Sequence, residues 1–235
     1  MRCVDCIPST NAAVKQLALQ GAPEGTALIA EQQTAGRGRL GRSFYSPAGS
    51  GIYLSVLLRP QKPADALFDL TARVAVCVRR AIFEVCGCDV GIKWVNDLVL
   101  HGKKLGGILT ELVGGETPAA IVGIGINCDQ TDFPPELCEI AGSLFAETGR
   151  CVDRETLAAA ILQDLSNVFE IDWLPEYRAN CVTLGREVTL LSPQGEREAY
   201  ALDVTETAAL LVRLPDGTVE EVSSGEVSVR PLKSR

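Results

Sequence analysis

Residues 33–55, QTAGRGRLGRSFYSPAGSGIYLS, limit what this chain can fold into more than any other stretch. Gly36, Gly38 and Gly41 spell G-x-G-x-x-G, the letters of a dinucleotide-binding turn. That turn works only between a strand and a helix that opens straight after it, because the helix N-terminus holds the pyrophosphate. TALIAE, residues 26–31, can supply the strand, but SFYSPAGSG cannot open the helix: Pro47, Gly49 and Gly51 break it. About 20 residues on, where an acid would meet a ribose, the chain reads IYLSVLLRP. The dinucleotide fold is thereby excluded. What remains is a glycine-rich loop with strands on both sides. Its chemistry is cationic: Arg37, Arg39 and Arg42 alternate with glycines, Phe44 and Tyr45 follow, and no acid falls within residues 33–55 of a chain whose net charge is −8. Glycine lets a backbone approach a ligand closely, and guanidinium forks match phosphate or carboxylate. The stretch reads as a mobile loop that closes over an anion, a nucleotide by preference, with a ring at hand to stack on a base.

The acidic balance (pI ≈ 4.8) argues against general nucleic-acid binding, which rests on a basic surface. Met1 is followed by Arg2 and Cys3 with no apolar leader, and no apolar run approaches the roughly 20 residues that span a bilayer. The chain reads as cytoplasmic, with no membrane segment. The nine cysteines are odd in number and irregularly spaced, and read as reduced, mostly buried small hydrophobes. Cys3-x-x-Cys6 and Cys86-x-Cys88 could in principle bind zinc, but the CxxC stands alone and His101 is the only histidine, so no metal site is assigned.

In chain order, Pro8-Ser9-Thr10-Asn11 before AAVKQLALQ and Gly21 predicts a capped helix with a terminating glycine; for Ser9 and Thr10, capping alone is the plain reading. A strand over residues 51–58 is expected to alternate. Pro63 opens a helix with Leu67, Leu70, Val74, Cys77, Val78, Ala81 and Val85 at helical period. Residues 91–113, GIKWVNDLVLHGKKLGGILTELV, predict a hairpin turning at His101-Gly102. Lys93, Asn96, Asp97 and Lys104 interrupt its apolar sequence. They read either as a salt-bridged hairpin with solvent-facing lysines or as a site, since buried charge requires a partner or a ligand. Gly106 and Gly107 mark a close approach of backbone or ligand. AAIVGIGIN is a further buried strand ending at Asn127, and Asp153 caps a helix carrying Leu157, Ile161, Leu165 and Val168. After about Cys181 the texture changes to short strands separated by Ser192-Pro193-Gln194-Gly195 and Pro215-Asp216-Gly217, the pattern of a small β-barrel or sandwich.

Together, PSTN, GRGRLGRSFYSPAGSGIYLS, KWVNDLVLHGKKLGGILTEL and VGIGIN resemble, in order and spacing, the biotin–protein ligases (biotin–[acetyl-CoA-carboxylase] ligases), over roughly residues 7–127. The resemblance implies an α+β fold: a mixed β-sheet packed with helices, of the class II aminoacyl-tRNA synthetase-like biotin–lipoyl ligase type, over residues 1–181. A small C-terminal SH3-like β-barrel would occupy residues 182–235. It implies an ATP-dependent ligase in which biotin's carboxylate attacks the α-phosphate of MgATP to give biotinyl-5′-AMP, and a lysine of a biotin carboxyl carrier protein then displaces AMP. By motif, Ser9, Thr10 and Gln33 would meet the biotin ureido ring, with backbone from Gly36 and Gly107; Asn11, Gly38, Lys93, Trp94, Gly106 and Ile108 would belong to the same biotin- and ATP-binding set. Arg37, Arg39 and Arg42 would hold carboxylate and phosphates, and Lys104 would stabilise the adenylation transition state. Asn96 and Asp97 would lie near the phosphates, Mg²⁺ and the incoming lysine, with Phe44 stacking on adenine and Asn127 facing the nucleotide. Catalysis would rest on Lys104, Arg37, Arg39 and Asp97. Val95 stands where the family usually has Pro, and Phe44 where it commonly has Trp. No DNA-binding role is expected, because little chain precedes PSTN. The family includes monomers and homodimers. A lipoyl or octanoyl ligase on the related fold, and a non-catalytic biotin or nucleotide sensor, are the rival readings.

Overall fold

The computed structural model describes residues 1–114, 118–192, 195–223 and 228–231. In chain order the elements are β1 (Arg2–Ile7), α1 (Thr10–Leu19), β2 (Ala27–Gln33), β3 (Gly51–Leu58), α2 (Leu70–Cys86), β4 (Gly91–Lys93), β5 (Asp97–Leu100), β6 (Lys103–Val113) and β7 (Ala119–Asn127). There follow α3 (Leu144–Thr148), α4 (Arg154–Leu165), α5 (Trp173–Asn180), β8 (Glu187–Ser192), β9 (Gly195–Val204), β10 (Leu210–Arg213), β11 (Val219–Val222) and β12 (Ser228–Pro231). The Pro193-Gln194 part of the expected turn lies outside the described residues.

Seven strands form one mixed sheet in the order β1-β2-β3-β7-β6-β5-β4, with only β1 and β2 parallel. The expected alternation of β3 does not hold, because all eight of its residues are buried. Ile52, Leu54, Val56 and Leu58 pack into the main core with α2 and α4, while Leu57 faces Val14 and Ala18 of α1. A strand covered on both faces has no solvent side to alternate towards. Each large side chain buried there contributes about 1.5–3 kcal/mol.

The helix expected from Pro63 is split. Pro63 caps a 3-10 turn, Ala64–Leu67, and the α-helix proper begins at Leu70 and ends at Gly87, whose φ of 62° permits the left-handed stop. Two elements were not expected at all. β1 is a largely exposed edge strand, and residues three apart on a strand point to opposite faces, so Cys3 and Cys6 do not converge. α5 carries Pro175 in its first turn, where the missing N–H costs nothing, so Pro175 does not end the structure there. The cysteines also depart from the expected burial: Cys3, Cys6, Cys138 and Cys151 are exposed, while Cys77, Cys88, Cys128 and Cys181 are buried.

The C-terminal strands form a second, wholly antiparallel sheet in the order β11-β10-β9-β8-β12. Among the described residues β11 and β12 make no ladder with each other, so the sheet is open and not a closed barrel. It packs on the first sheet through specific bonds: Trp94 Nε1 donates to Ala208 O at 2.9 Å, and Trp94 N donates to Thr183 Oγ1 at 3.0 Å.

Candidate active site

The loop between β2 and β3 is folded back on itself. Arg37 and Ser43 form a β-bridge, Gly38 N donates to Arg42 O at 2.7 Å, and Phe44 N donates to Gly36 O at 2.9 Å. Its tip is the turn Arg39–Gly41, with Leu40 at φ 54° and Gly41 at φ 74°. A Cβ on Gly36 would lie 2.3 Å from Phe44 O, so this glycine lets the two arms of the loop close on one another.

Beneath the loop is a polar network built on the start of α1. Ser9 Oγ caps the helix by accepting from Ala12 N. Gln33 Oε1 accepts from Thr10 N at 2.9 Å and Thr10 Oγ1 at 3.0 Å, and Gln33 Nε2 donates to Ser46 Oγ at 3.0 Å. Ser55 Oγ donates to Asn11 Oδ1 at 2.6 Å, and Asn11 Nδ2 donates to Leu109 O and to Glu111 Oε2. Glu111 in turn pairs with Arg37 at 3.3 Å. The Asn11 amide is thus consumed by protein partners, and acts by holding its neighbours in place. Gly123 makes room for it, since a Cβ there would lie 2.0 Å from Asn11 Oδ1. Gly125 likewise makes room for the Phe44 ring, which also stands edge-on to Tyr53.

On the opposite wall, β4 and β5 pair antiparallel across a three-residue bend at residues 94–96, with Lys93 opposite Asp97, so the expected hairpin is three strands with two tight turns, one there and one at His101-Gly102. His101 (φ 48°) and Gly102 (φ 81°) are both left-handed, as a two-residue hairpin turn of this kind demands. The bend is pinned by Tyr177 Oη donating to Val95 O at 3.2 Å, and by the Trp94 bonds above. Arg39 Nη1 donates to Asn96 Oδ1 at 2.9 Å, which ties the arginine loop to this wall. Burial pushes the Arg39 guanidinium pKa down while Asp97 pushes it up; the group stays cationic.

Lys104 reaches the same cavity through a β-bulge. Leu98 pairs with Gly106 and Val99 with Lys104, leaving Leu105 as an extra residue on β6. Strict alternation would put Lys104 and Gly107 on opposite faces; the bulge turns Lys104 to the side of Gly107 and Asp97, and its Nζ meets Asp97 Oδ1 at 2.6 Å. Both readings of the hairpin polar residues therefore hold a part: the salt bridge is there, and it faces a cavity.

Ser9, Thr10, Asn11, Gln33, Arg37, Gly38, Arg39, Arg42, Phe44, Lys93, Trp94, Asn96, Asp97, Lys104, Gly107 and Ile108 all line this one cavity. Gly36, Gly106 and Asn127 do not. Gly36 serves the loop stem, and a Cβ on Gly106 would lie 2.4 Å from Gly125 O, so the close approach there is by β7 and not by a ligand. Asn127 is buried next to the cavity, with Nδ2 donating to Gly142 O at 2.9 Å. Sequence reasoning missed Glu111, Ser46 and Ser55 beneath the loop, Gly123 and Gly125 on the floor, and Val229 of β12, which lines the cavity from the second sheet. The spacing of Gly123 and Gly125 was a usable signal, because residues two apart on a strand share a face, here one kept free of side chains.

Residues 3–129 match the biotin/lipoate A/B protein ligase family, and residues 183–230 the biotin protein ligase C terminal domain. The chain is 34% identical over 240 residues to the bifunctional ligase/repressor BirA of Bacillus subtilis, covering 96% of this chain and 72% of that one. It is 35% identical over 232 residues to the biotin–[acetyl-CoA-carboxylase] ligase of Mycobacterium tuberculosis, covering 93% and 85%. Its fold superposes with a TM-score of 0.86 on the biotin protein ligase of Aquifex aeolicus solved in complex with biotin and ATP, at 31% identity and 98% coverage of both chains. By the matching family models, the coverage of its relatives and the likeness of its fold, the chain belongs to the biotin protein ligase family.

Proposed function

We propose that both half-reactions of an ATP-dependent biotin–protein ligase run in this cavity. In the first, a carboxylate oxygen of biotin attacks the α-phosphorus of ATP, the bond to the β-phosphate bridge breaks, and pyrophosphate leaves. In the second, the ε-amine of a lysine on a biotin carboxyl carrier protein attacks the acyl carbon, AMP leaves, and the amine loses a proton to solvent or to a nearby base. Two anions must meet in the first step, so cations aimed at the developing charge supply most of the rate enhancement. The observation that carries this reading is the convergence of Arg37, Arg39 and Arg42 with the Lys104–Asp97 pair on one cavity.

Lys104 is assigned to the biotin carboxylate and α-phosphate, and Arg37 and Arg39 to the phosphates. Thr10 and Gln33 present the polar floor for the ureido ring, and Phe44 offers its face to the base. Asn127 supports the nucleotide assignment from beside the cavity: its Oδ1 is buried with no hydrogen-bond partner in the protein, suited to the amino group of adenine. Asp97 is the electrostatic partner for the incoming lysine. Among the described residues no three acidic, cysteine or histidine side chains cluster to hold a metal, and Asp97 is already engaged by Lys104, so Mg²⁺ fits as a companion of the ATP phosphates, whose charge it neutralises. The loop over residues 34–46 closes on biotinyl-AMP and keeps water from the anhydride.

The same reading divides the chain at residues 181/182 between a catalytic domain and a C-terminal module; the gap between α5 and β8 and the separate family matches support that division. It takes the enzyme as cytoplasmic and without a DNA-binding role, which the net charge of −8 favours. No helix among the described residues is long and apolar enough to cross a membrane.

The test is incubation of the protein with biotin, MgATP and a biotin carboxyl carrier domain, with the acceptor's mass as readout. An ATP-dependent gain of one biotinyl group is expected, and Lys104→Ala should slow it by about 10²–10³-fold, the usual cost of removing one donor to a developing oxyanion. Modification by lipoate in place of biotin, or tight biotin binding with no transfer, would overturn the reading.

A further inference from the structure

The bend at residues 94–96 faces the cavity on one side and is held from the other. On the far side, Tyr177 of α5 is completely buried and its Oη donates to Val95 O at 3.2 Å, while the buried Thr183 Oγ1 accepts from Trp94 N at 3.0 Å. Val182 N donates to Ile92 O at 2.9 Å, so the chain just after α5 runs alongside β4 and the bend. On the near side, Asn96 Oδ1 accepts from Arg39 Nη1 at 2.9 Å and Asn96 Nδ2 donates to Ile108 O at 3.0 Å. Neither Tyr177 nor Thr183 lines the cavity. The Tyr177 phenol nonetheless lies within electrostatic reach of Arg39 and Asp97, behind the wall to which they belong. Packing alone would be served by phenylalanine, since burying a hydroxyl costs free energy that a single bond only roughly offsets.

We propose that Tyr177, with Thr183, is a positioning residue for the activation of biotin: it fixes the Val95 carbonyl so that Asn96 holds Arg39 aimed into the cavity. The inference rests on the reading of the cavity as the site of biotinyl-AMP formation. Arg39 is a long side chain on a loop tip, and ordering such a side chain costs about 1.5–2 kcal/mol of rotamer freedom. An acceptor that is itself held rigidly meets that cost before substrate arrives, which is what preorganised charge stabilisation requires. Asn96 follows directly on Val95, and its side-chain amide is engaged at both ends, by Arg39 and by Ile108 O. Releasing the Val95 carbonyl lets the bend shift, and Asn96 Oδ1 moves with it. The polar floor is tied elsewhere: Gln33 bonds to Thr10 of α1 and to Ser46 of the loop stem. Loss of the Tyr177 hydroxyl therefore reaches the phosphate-binding cation and spares the floor assigned to the ureido ring.

The test is single-turnover formation of biotinyl-AMP, followed as pyrophosphate release with no acceptor present and well below each variant's melting temperature. Tyr177→Phe should lower the maximal rate about tenfold, less than the roughly 10²-fold that a misplacement of about 1 Å can cost. The half-saturating biotin concentration should stay within about twofold of wild type, because the floor is untouched. Thr183→Val should slow the reaction in the same sense, and Thr183→Ser, which keeps the acceptor for Trp94 N, should run at the wild-type rate. In an Asn96→Ala background, Tyr177→Phe should change the rate by less than about twofold, since the residue it acts through is gone. The inference is overturned if Tyr177→Phe lowers only the melting temperature, if its effect on rate is the same in both backgrounds, if the biotin dependence shifts in place of the rate, or if Thr183→Ser is as slow as Thr183→Val. Wild-type protein that releases no pyrophosphate would overturn the biotinyl-AMP reading itself; an active wild type with an equally fast Tyr177→Phe variant would remove this inference alone.

Discussion

Gly123→Ala is a one-methyl change on the floor of the site, and its consequences can be followed atom by atom. The added Cβ would stand 2.0 Å from Asn11 Oδ1, 2.8 Å from Cγ and 3.0 Å from Nδ2, so the amide must leave its place. It takes with it the bonds to Leu109 O (3.2 Å), Glu111 Oε2 (3.0 Å) and Ser55 Oγ (2.6 Å). Three hydrogen bonds at about 1 kcal/mol each come to roughly 3 kcal/mol, while the Ser55 hydroxyl keeps Thr10 Oγ1 as a partner at 2.8 Å. For a chain of this size that lowers the melting temperature by roughly 10 °C. Because Glu111 also holds Arg37, the KM for ATP should rise with it. The decisive assay is a double-mutant cycle read by thermal or urea unfolding. In an Asn11→Ala background the methyl meets no amide, and Gly123→Ala should become neutral or stabilise by up to about 0.5 kcal/mol, since it then only restricts the unfolded chain. If Gly123→Ala costs the same in both backgrounds, the clash with Asn11 is not what the glycine avoids, and the reasoning fails.

Two further measurements follow from burial. The Tyr177 phenol is fully enclosed and its pKa is pushed well above 10, by burial first and by neighbouring Cys181. With the folded value raised above the unfolded one, its contribution is fully present below about pH 10, near the unfolded phenol's own pKa, and is lost as pH rises towards the folded value. Tyr177→Phe should therefore flatten the alkaline limb of a stability-versus-pH curve; a limb of unchanged slope would contradict this. The thiols of Cys77 and Cys128 are pushed up to about 12, chiefly by burial. Since the thiolate is the reactive form, iodoacetamide at pH 8 should label the exposed Cys3, Cys6, Cys138 and Cys151 first, as read by peptide mass. Labelling of Cys77 or Cys128 at the same rate in native protein would refute the burial argument.

Much of the fold could be read from the chain because its signals are local. The apolar period of α2, the Ser9 and Asp153 caps, and the Gly and Pro turns between the C-terminal strands each act within a few residues of themselves. The failures are non-local. Whether β3 alternates depends on helices packing on both its faces. Pro175 reads as a stop unless one knows that α5 starts two residues before it. The open edge between β11 and β12 is a matter of how far the second sheet curls, which no short stretch specifies. The cavity was legible to the same degree: glycines and arginines announce a loop for anions, but Glu111 looks like any surface acid until Asn11 and Arg37 are brought to it from 100 and 74 residues away.

Lys103 and Lys104 show the limit most sharply. They are adjacent on β6, so alternation sends one to each face, and period alone cannot say which one serves the site. The extra residue Leu105 decides it. The bulge shifts the register against β5, carries Lys104 to Asp97 at 2.6 Å, and leaves Lys103 Nζ to donate to Cys138 O and Glu139 O outside the cavity. A motif match selects Lys104 because the match preserves the spacing to Gly106 and Gly107; the physical cause of that spacing is the bulge, which the motif records without explaining. Leu105 is itself completely buried, so the same residue that sets the register is held there by the core. The position of the lysine at the site therefore depends on apolar packing on the far face of the strand, and a core substitution at Leu105 can disturb the chemistry without touching a polar group.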